Sequence, residues 1–442
     1  MAIGVAAPIR RPANLSRIYG RSISRDTLDD AERQRAFTIW FALIGILFPP
    51  ILISLGDINV TPGRVAVILL LIPALVVLFS RGRHRIASDY FAIAAAIWMV
   101  ASTAFNNGFR PYVGAEALEF IGAYMVGRAL VFGPSNFQTF VRALRPITVT
   151  IIVLAVVDVL VGRYVTLDSF GVPNFVAGRF GWVRASSVFE GAEHYGTFCV
   201  AAAAIFLYAE RGISRFVYVS LCYFGCALSL SSGPMFGLAI VTAVSCYDRI
   251  MKGYVWRWKV LITVIALFLG GIFLISNHPI AWILTHFTLD SQTGFFRLGT
   301  WNFALPLIDQ SPFVGHGVVS LGEPGDALIY LRSVDSLWLL EALRYGLPAV
   351  ILLLMTMFSP LLKGAPAIGT GHPQTGLTLA IVATALIGLT VHFWDATWLF
   401  LNLCVGIRAS LAEYQSRDIW RAELADHAQG FNFPMGRQLH LT

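Results

Sequence analysis

The sequence predicts an all-α polytopic membrane protein with about twelve transmembrane helices. Apolar residues fill 57% of the 442 positions and charged residues only 13%. Mean hydropathy is +0.70. The apolar residues gather in runs near the roughly 20 residues that cross a bilayer's hydrocarbon core. A soluble enzyme carries far more charge than this. The net charge of +7 would suggest nucleic acid in a soluble chain, but here topology accounts for most of it, and no nucleic-acid partner is expected.

The runs lie at about 37–55, 64–80, 89–105, 115–133, 144–162, 195–210, 214–231, 234–248, 258–276, 334–358, 376–394 and 396–412. Each is read as a helix, because backbone polar groups inside a bilayer must be satisfied within the segment. The first is interrupted by Pro49-Pro50, and the seventh and eighth are joined tightly by Ser231-Ser232-Gly233-Pro234. With the N-terminus in the cytoplasm, only eight of the 32 basic residues fall outside: Arg64, Arg110, Arg163, Arg179, Arg184, Arg297, Arg332 and Arg344. That asymmetry obeys the positive-inside rule and supports an even number of spans. The chain then divides into a basic cytoplasmic tail, 1–35, a transmembrane catalytic domain, 36–412, and a second cytoplasmic tail, 413–442. Two long outer connections, 163–194 and 277–333, interrupt the middle part. No short apolar run before a small-residue cleavage site marks a signal peptide. The five cysteines all fall in apolar stretches, which points away from disulfides and from a zinc site.

The candidate chemistry sits in the outer connections. Arg179 and Arg184 precede Glu190, Glu193 and His194 in the first, and Arg297, Trp301, His316 and Arg332 lie in the second. Arginine presents a planar fork of donors that fits phosphate oxygens and never loses its charge. A cluster of such residues beside a bilayer suits a diphosphate headgroup. The competing reading pairs the arginines with Glu190, Glu193 or Asp290, or has them snorkel to lipid headgroups. Asp335, at the start of the tenth run, reads equally as a helix cap or as a general base. Glu341 and Arg344 are spaced to pair with each other on one helical face, and His392 and Asp395 are spaced to hydrogen-bond. Arg128 reads as snorkelling to the inner interface. His316, between Gly315 and Gly317, reads first as part of a tight turn. Trp182, Trp301 and Trp338 read first as interfacial anchors and second as sugar-stacking surfaces.

At these residues the chain resembles the superfamily of O-antigen ligases and Wzy-type polysaccharide polymerases. Arg184-Ala185, Phe189 and His194-Tyr195-Gly196 look like one family element. Arg297, Trp301 and Ser311-Pro312-Phe313-Val314-Gly315-His316-Gly317 look like a second, and Arg344-Tyr345-Gly346-Leu347-Pro348 like the end of a third. The resemblance covers about residues 110–410. It implies a GT-C-type, metal-independent, inverting glycosyltransferase with no cofactor, in the bacterial inner membrane, with its site on the periplasmic face. Its donor would be a glycan on undecaprenyl diphosphate, and other polysaccharide assembly proteins would be possible partners. Arg184 and Arg297, with Arg179, would hold the diphosphate. Trp301, His316 and Arg332 would touch substrate. Asp335, Glu190 and His194, in that order, are the candidates for proton acceptor. Ligases usually carry a His-Asn pair where this chain has Asp335-Ser336, and many members carry Ser-Arg-Gly where it has Ser231-Ser232-Gly233-Pro234. Both departures point to an exopolysaccharide polymerase. The alternatives are an O-antigen ligase acting on lipid A-core and, from another class, a flippase for lipid-linked oligosaccharides.

Overall fold

A computed structural model of the chain describes residues 25–55, 58–80, 83–108, 110–275, 291–317, 334–362 and 373–430. The chain is mostly helical. In order, the helices are α1 (Arg25–Ile46), α2 (Pro62–Phe79), α3 (Ala87–Asn107), α4 (Pro111–Leu130), α5 (Gly133–Val161), the short α6 (Val165–Ser169), α7 (Ala192–Ala209), α8 (Gly212–Leu228), α9 (Ser232–Ile250), α10 (Arg257–Ile275), α11 (Ser291–Gln310), α12 (Leu337–Tyr345), α13 (Leu347–Leu362), α14 (Pro373–Ile387) and α15 (Asp395–Gly430). Two antiparallel ribbons interrupt them, β1 (Ile53–Leu55) with β2 (Ile58–Val60) and β3 (Gly178–Arg179) with β4 (Trp182–Val183).

Three helices, Pro62–Phe79, Ala87–Asn106 and Gly133–Val161, are long and apolar enough to cross a membrane. Shorter apolar helices cover Gly212–Leu228, Leu347–Leu362 and Gln374–Ile387. Large apolar side chains point away from the protein along these helices, as Ile72 and Val76 do on α2 and Ile213 and Phe216 on α8. Water would penalise such faces and hydrocarbon would not. Prolines inside α2, α5 and α13 fit the same setting, where neighbouring helices re-satisfy the freed carbonyls.

The core forms where small residues let helices approach. Helix α4 lies against α15, and a Cβ on Gly127 would overlap the Leu403 carbonyl. Helix α7 is the most enclosed, with an alanine run, Ala201 to Ala204, packed between α8, α9 and α14. The ends of α3 and α4 are tied to α15 by charge. Arg128 bridges Asp89 at 3.0 Å and Glu413 at 2.5 Å, and Arg83 reaches Glu413 at 3.0 Å.

The first run is not one helix: α1 stops at Ile46, because Pro49-Pro50 offers no N–H and holds the preceding residue extended. Arg128 does not snorkel; it is fully enclosed in the network just described. Residues 334–358 form two helices, α12 and α13, meeting at Gly346. Glu341 and Arg344 do not pair. Arg344 instead reaches Glu116 at 3.2 Å, and the Tyr345 hydroxyl donates to the same carboxylate at 2.7 Å. The eleventh run ends as a helix at Ile387, and residues 388–394 form a loop. Asp395 and His392 form no hydrogen bond with each other, and the His392 ring packs on Trp394 at 5.1 Å. Trp338 is not an interfacial anchor, since its indole N–H is buried and donates to the Ala385 carbonyl at 2.9 Å.

The joint at Gly346 explains two of the sequence motifs. Pro348 has no N–H, so the Arg344 carbonyl loses its helical donor. The segment 311–317 supplies replacements. His316 N–H donates to Leu343 O at 2.7 Å and Gly317 N–H to Arg344 O at 2.9 Å. Trp98 Nε1 serves the Tyr345 carbonyl at 2.9 Å, and Leu347 N–H returns to Pro312 O at 2.8 Å. Gly315 and Gly317 have φ of 64° and 70°, so the tight turn read around His316 is present.

Candidate functional site

The connection 163–194 is shaped from α5 upward. Asp158, in the last turn of α5, accepts from Val165 N–H at 3.0 Å and from Ser187 N–H at 2.7 Å. Ser187 sits at φ 58°, a left-handed conformation that this clamp enforces. Between the clamped points, β3 and β4 form a hairpin whose two turn residues, Phe180 and Gly181, both have positive φ, the geometry of a tight two-residue turn. Arg179 pairs across the ribbon with Trp182. The ribbon leads to Arg184, whose N–H donates to Ala177 O at 2.9 Å.

The arginines then turn toward the end of α8. Arg179 Nη1 donates to Leu230 O at 2.8 Å, and Arg184 Nε to Ser229 O at 3.2 Å. Arg184 Nη2 also bridges Glu193 at 3.2 Å, which leaves its Nη1 without a partner among the described residues. Helix α11 contributes a buried face that holds Arg297, Thr300, Ala304 and Ile308. Arg297 is 9% exposed. Its Nη1 lies 3.5 Å from Ser232 Oγ, and its Nε has no hydrogen-bond partner among the described residues.

Arg179, Arg184 and Arg297 line one cavity of about 260 Å³, together with Glu193, His194, Ser231, Ser232, Asp335 and the loop residues Thr390, Val391, His392 and Trp394. Three guanidinium groups outnumber the two carboxylates, Glu193 and Asp335. Burial depresses the pKa of Arg297; Asp335 opposes that shift, and the charges of Arg179 and Arg184 reinforce it. The first turns of α7 and α9 and the entries to α12 and α15 also converge here, and helix N-termini carry partial positive charge. Such an arrangement can receive an anion with several oxygens. Among the described residues no group of three His, Cys, Asp or Glu side chains is arranged to hold a metal ion.

Of the residues read as candidates from sequence, Arg179, Arg184, Arg297, Asp335 and His194 meet in this cavity. Asp335 is not the cap of α12: that place belongs to Ser336, whose hydroxyl accepts from Leu339 N–H at 3.4 Å. Glu190 is not among the residues that line the cavity; its pKa is pushed up to about 7, first by burial and then by the charge of Asp395. Trp301 packs beside α12. His316 does not line the cavity, and its Nε2 meets Leu307 O at 2.7 Å, which fixes the ring to α11. Arg332 lies outside the described residues. The pairing of Arg184 with Glu193 was among the competing readings, and it is present without closing the cavity.

Sequence reasoning missed α11 as a helix and missed the part played by the 388–394 loop. Gly294, Gly299, Asn302 and Pro306 are poor helix formers, which hid α11. A signal was present nonetheless, since Arg297, Thr300, Ala304 and Ile308 recur at three- and four-residue spacing. No protein-family model matches the chain, and no curated protein matches it.

Proposed function

We propose that the chain is a membrane glycosyltransferase that polymerises a cell-surface or extracellular polysaccharide. It extends the polymer by transferring a glycan from undecaprenyl diphosphate to a lipid-linked repeat unit. In this reading the chain crosses the bacterial inner membrane twelve times as a GT-C-type enzyme, with both termini cytoplasmic and the cavity at the periplasmic face. The observation that carries the reading is Arg297, a buried guanidinium beside Arg179 and Arg184 whose Nε has no hydrogen-bond partner among the described residues. A buried cation without a full set of acceptors is costly, and a diphosphate supplies the oxygens it lacks.

The chemistry follows from the cavity's charge. The acceptor hydroxyl attacks the anomeric carbon, and the bond from that carbon to the diphosphate oxygen breaks. Negative charge grows on the departing diphosphate, where three fixed guanidinium groups stabilise it more than the ground state. A carboxylate or histidine of the site takes the hydroxyl proton. An O-antigen ligase would share this donor chemistry, whereas a flippase would be expected to line a central path with charge on several spans.

The test is a reconstituted transfer assay with purified lipid-linked repeat units. Polymer longer than the supplied repeat is the expected product. Transfer to lipid A-core alone would establish the ligase reading, and donor translocation without any new glycosidic bond would replace both with a transporter.

A further inference from the structure

The cavity has a second chemical face beside its three guanidinium groups. Its lining includes the Trp394 indole. Trp394 is 38% exposed, so an aromatic surface stays open there. His194, at 2% exposed, offers no such access. Trp182, Trp301 and Trp338, the tryptophans singled out in the sequence, are not among the residues that line the cavity.

The indole is held in place. Its centre lies 4.3 Å from that of the His194 ring and 5.1 Å from that of the His392 ring. The 388–394 loop that carries it is bonded to α12, since Leu337 N–H donates to Gly388 O at 2.9 Å and to Val391 O at 3.2 Å. On the other side Trp398 N–H donates to Trp394 O at 3.4 Å. A platform fixed in this way gives up little freedom when a ligand lies on it. Around it, Ser231, Ser232 and Thr390 bring hydroxyl groups to the same cavity. A pyranose ring divides its surface to match, with C–H bonds on its face and hydroxyls on its rim. Those C–H hydrogens carry partial positive charge, and the face of an indole is negative. A hydrocarbon chain in the same place would take water from the hydroxyls and return nothing, and phosphate alone would leave the indole bare.

We infer that Trp394 is the platform of a sugar subsite, on which the sugar joined to the donor's diphosphate stacks while the diphosphate engages Arg179, Arg184 and Arg297. The inference rests on the glycosyltransferase reading and extends it to the choice of donor. The loaded carrier is held at both faces of the cavity. The spent carrier, which has lost its sugar, is held at one and leaves more readily.

Two measurements test this. The first compares Kd for the purified lipid-linked repeat with Kd for undecaprenyl diphosphate, in the parent, Trp394→Leu and Trp394→Phe. The parent should hold the repeat more tightly than the bare carrier. Trp394→Leu should shrink that preference by about fivefold or more, the scale of one aromatic contact, and leave the bare carrier within about twofold of the parent. Trp394→Phe should keep most of the preference. An undiminished preference in Trp394→Leu overturns the inference, and so does an equal loss for both ligands, which would make the indole a prop for the cavity wall. The second measurement needs no variant. A repeat with a photoreactive diazirine on its first sugar should label the 388–394 loop of the parental chain, and labelling confined to other segments overturns the inference. A parent that binds both ligands equally overturns it while leaving the glycosyltransferase reading intact. A parent that binds neither removes the reading itself, and the inference with it.

Discussion

Replacing Gly346 with alanine should loosen the joint on which the second half of the site is hung. Gly346 has φ 81° and ψ 172°, a conformation close to glycine-only, which costs a side chain about 1–3 kcal/mol. An added Cβ would also overlap the Phe313 carbonyl and sit 2.9 Å from Val314 N. To relieve that overlap the 311–317 strap must move, which endangers its bonds to Leu343, Arg344 and Leu347. Each is worth about 1 kcal/mol net, so the total loss is roughly 5 kcal/mol, a large share of a typical protein's stability. For 442 residues, an unfolding entropy of about 2.1 cal/mol/K per residue converts this to a midpoint shift of roughly 5 °C. The assay is thermal unfolding of purified protein in one detergent, with Gly253→Ala as the control, since nothing lies within 4 Å of a Cβ at Gly253. Equal midpoints for the two variants would refute the joint. Asp335 lies two residues before α12, so donor binding should weaken in Gly346→Ala and not in the control.

Three further outcomes follow from the geometry. Arg184→Lys and Arg297→Lys keep the charge and lose the planar fork, so each should cut transfer by at least about tenfold, a loss of roughly 1.4 kcal/mol of transition-state stabilisation; unchanged transfer at normal expression would mean that position only neutralises charge. Glu190 ordinarily titrates near 4.5 and in the folded chain at about 7, so the native state holds a proton that the unfolded chain loses between those values. Stability should therefore fall as pH rises from about 4.5 to 7, by at most about 3 kcal/mol, and Glu190→Gln should flatten that slope; the same slope in both proteins would remove Glu190 as its source. A thiol at exposed Ser169, on α6 in the first outer connection, should react with impermeant reagent from outside intact cells, and labelling only from the cytoplasm would invert the topology.

Much of the site was legible because arginine in a hydropathic chain is conspicuous. Arg184 and Arg297 are 113 positions apart, yet topology alone suggested a common side for both, and one cavity holds them. The helices were legible where composition is uniform, as in α2 and α7. Legibility failed where a helix is short or broken for tertiary reasons. The split at Gly346 depends on carbonyls being served by residues 316, 317 and Trp98, which no local window contains. It failed again for charge pairs, since Arg344 prefers Glu116, 228 positions away, to Glu341 on its own helix. Spacing identifies which charges could meet, and burial decides which do.

In the proposed reaction a lipid-linked diphosphate sits on Arg179, Arg184 and Arg297. The most direct measurement is an experimental structure of the protein reconstituted with undecaprenyl diphosphate. Density for both phosphates should lie in the cavity between the end of α8 and the buried face of α11, within hydrogen-bond reach, about 3 Å, of the Arg184 Nη1 and Arg297 Nε groups. An empty cavity, with the diphosphate bound instead at the opposite end beside Arg83 and Arg128, would contradict the account.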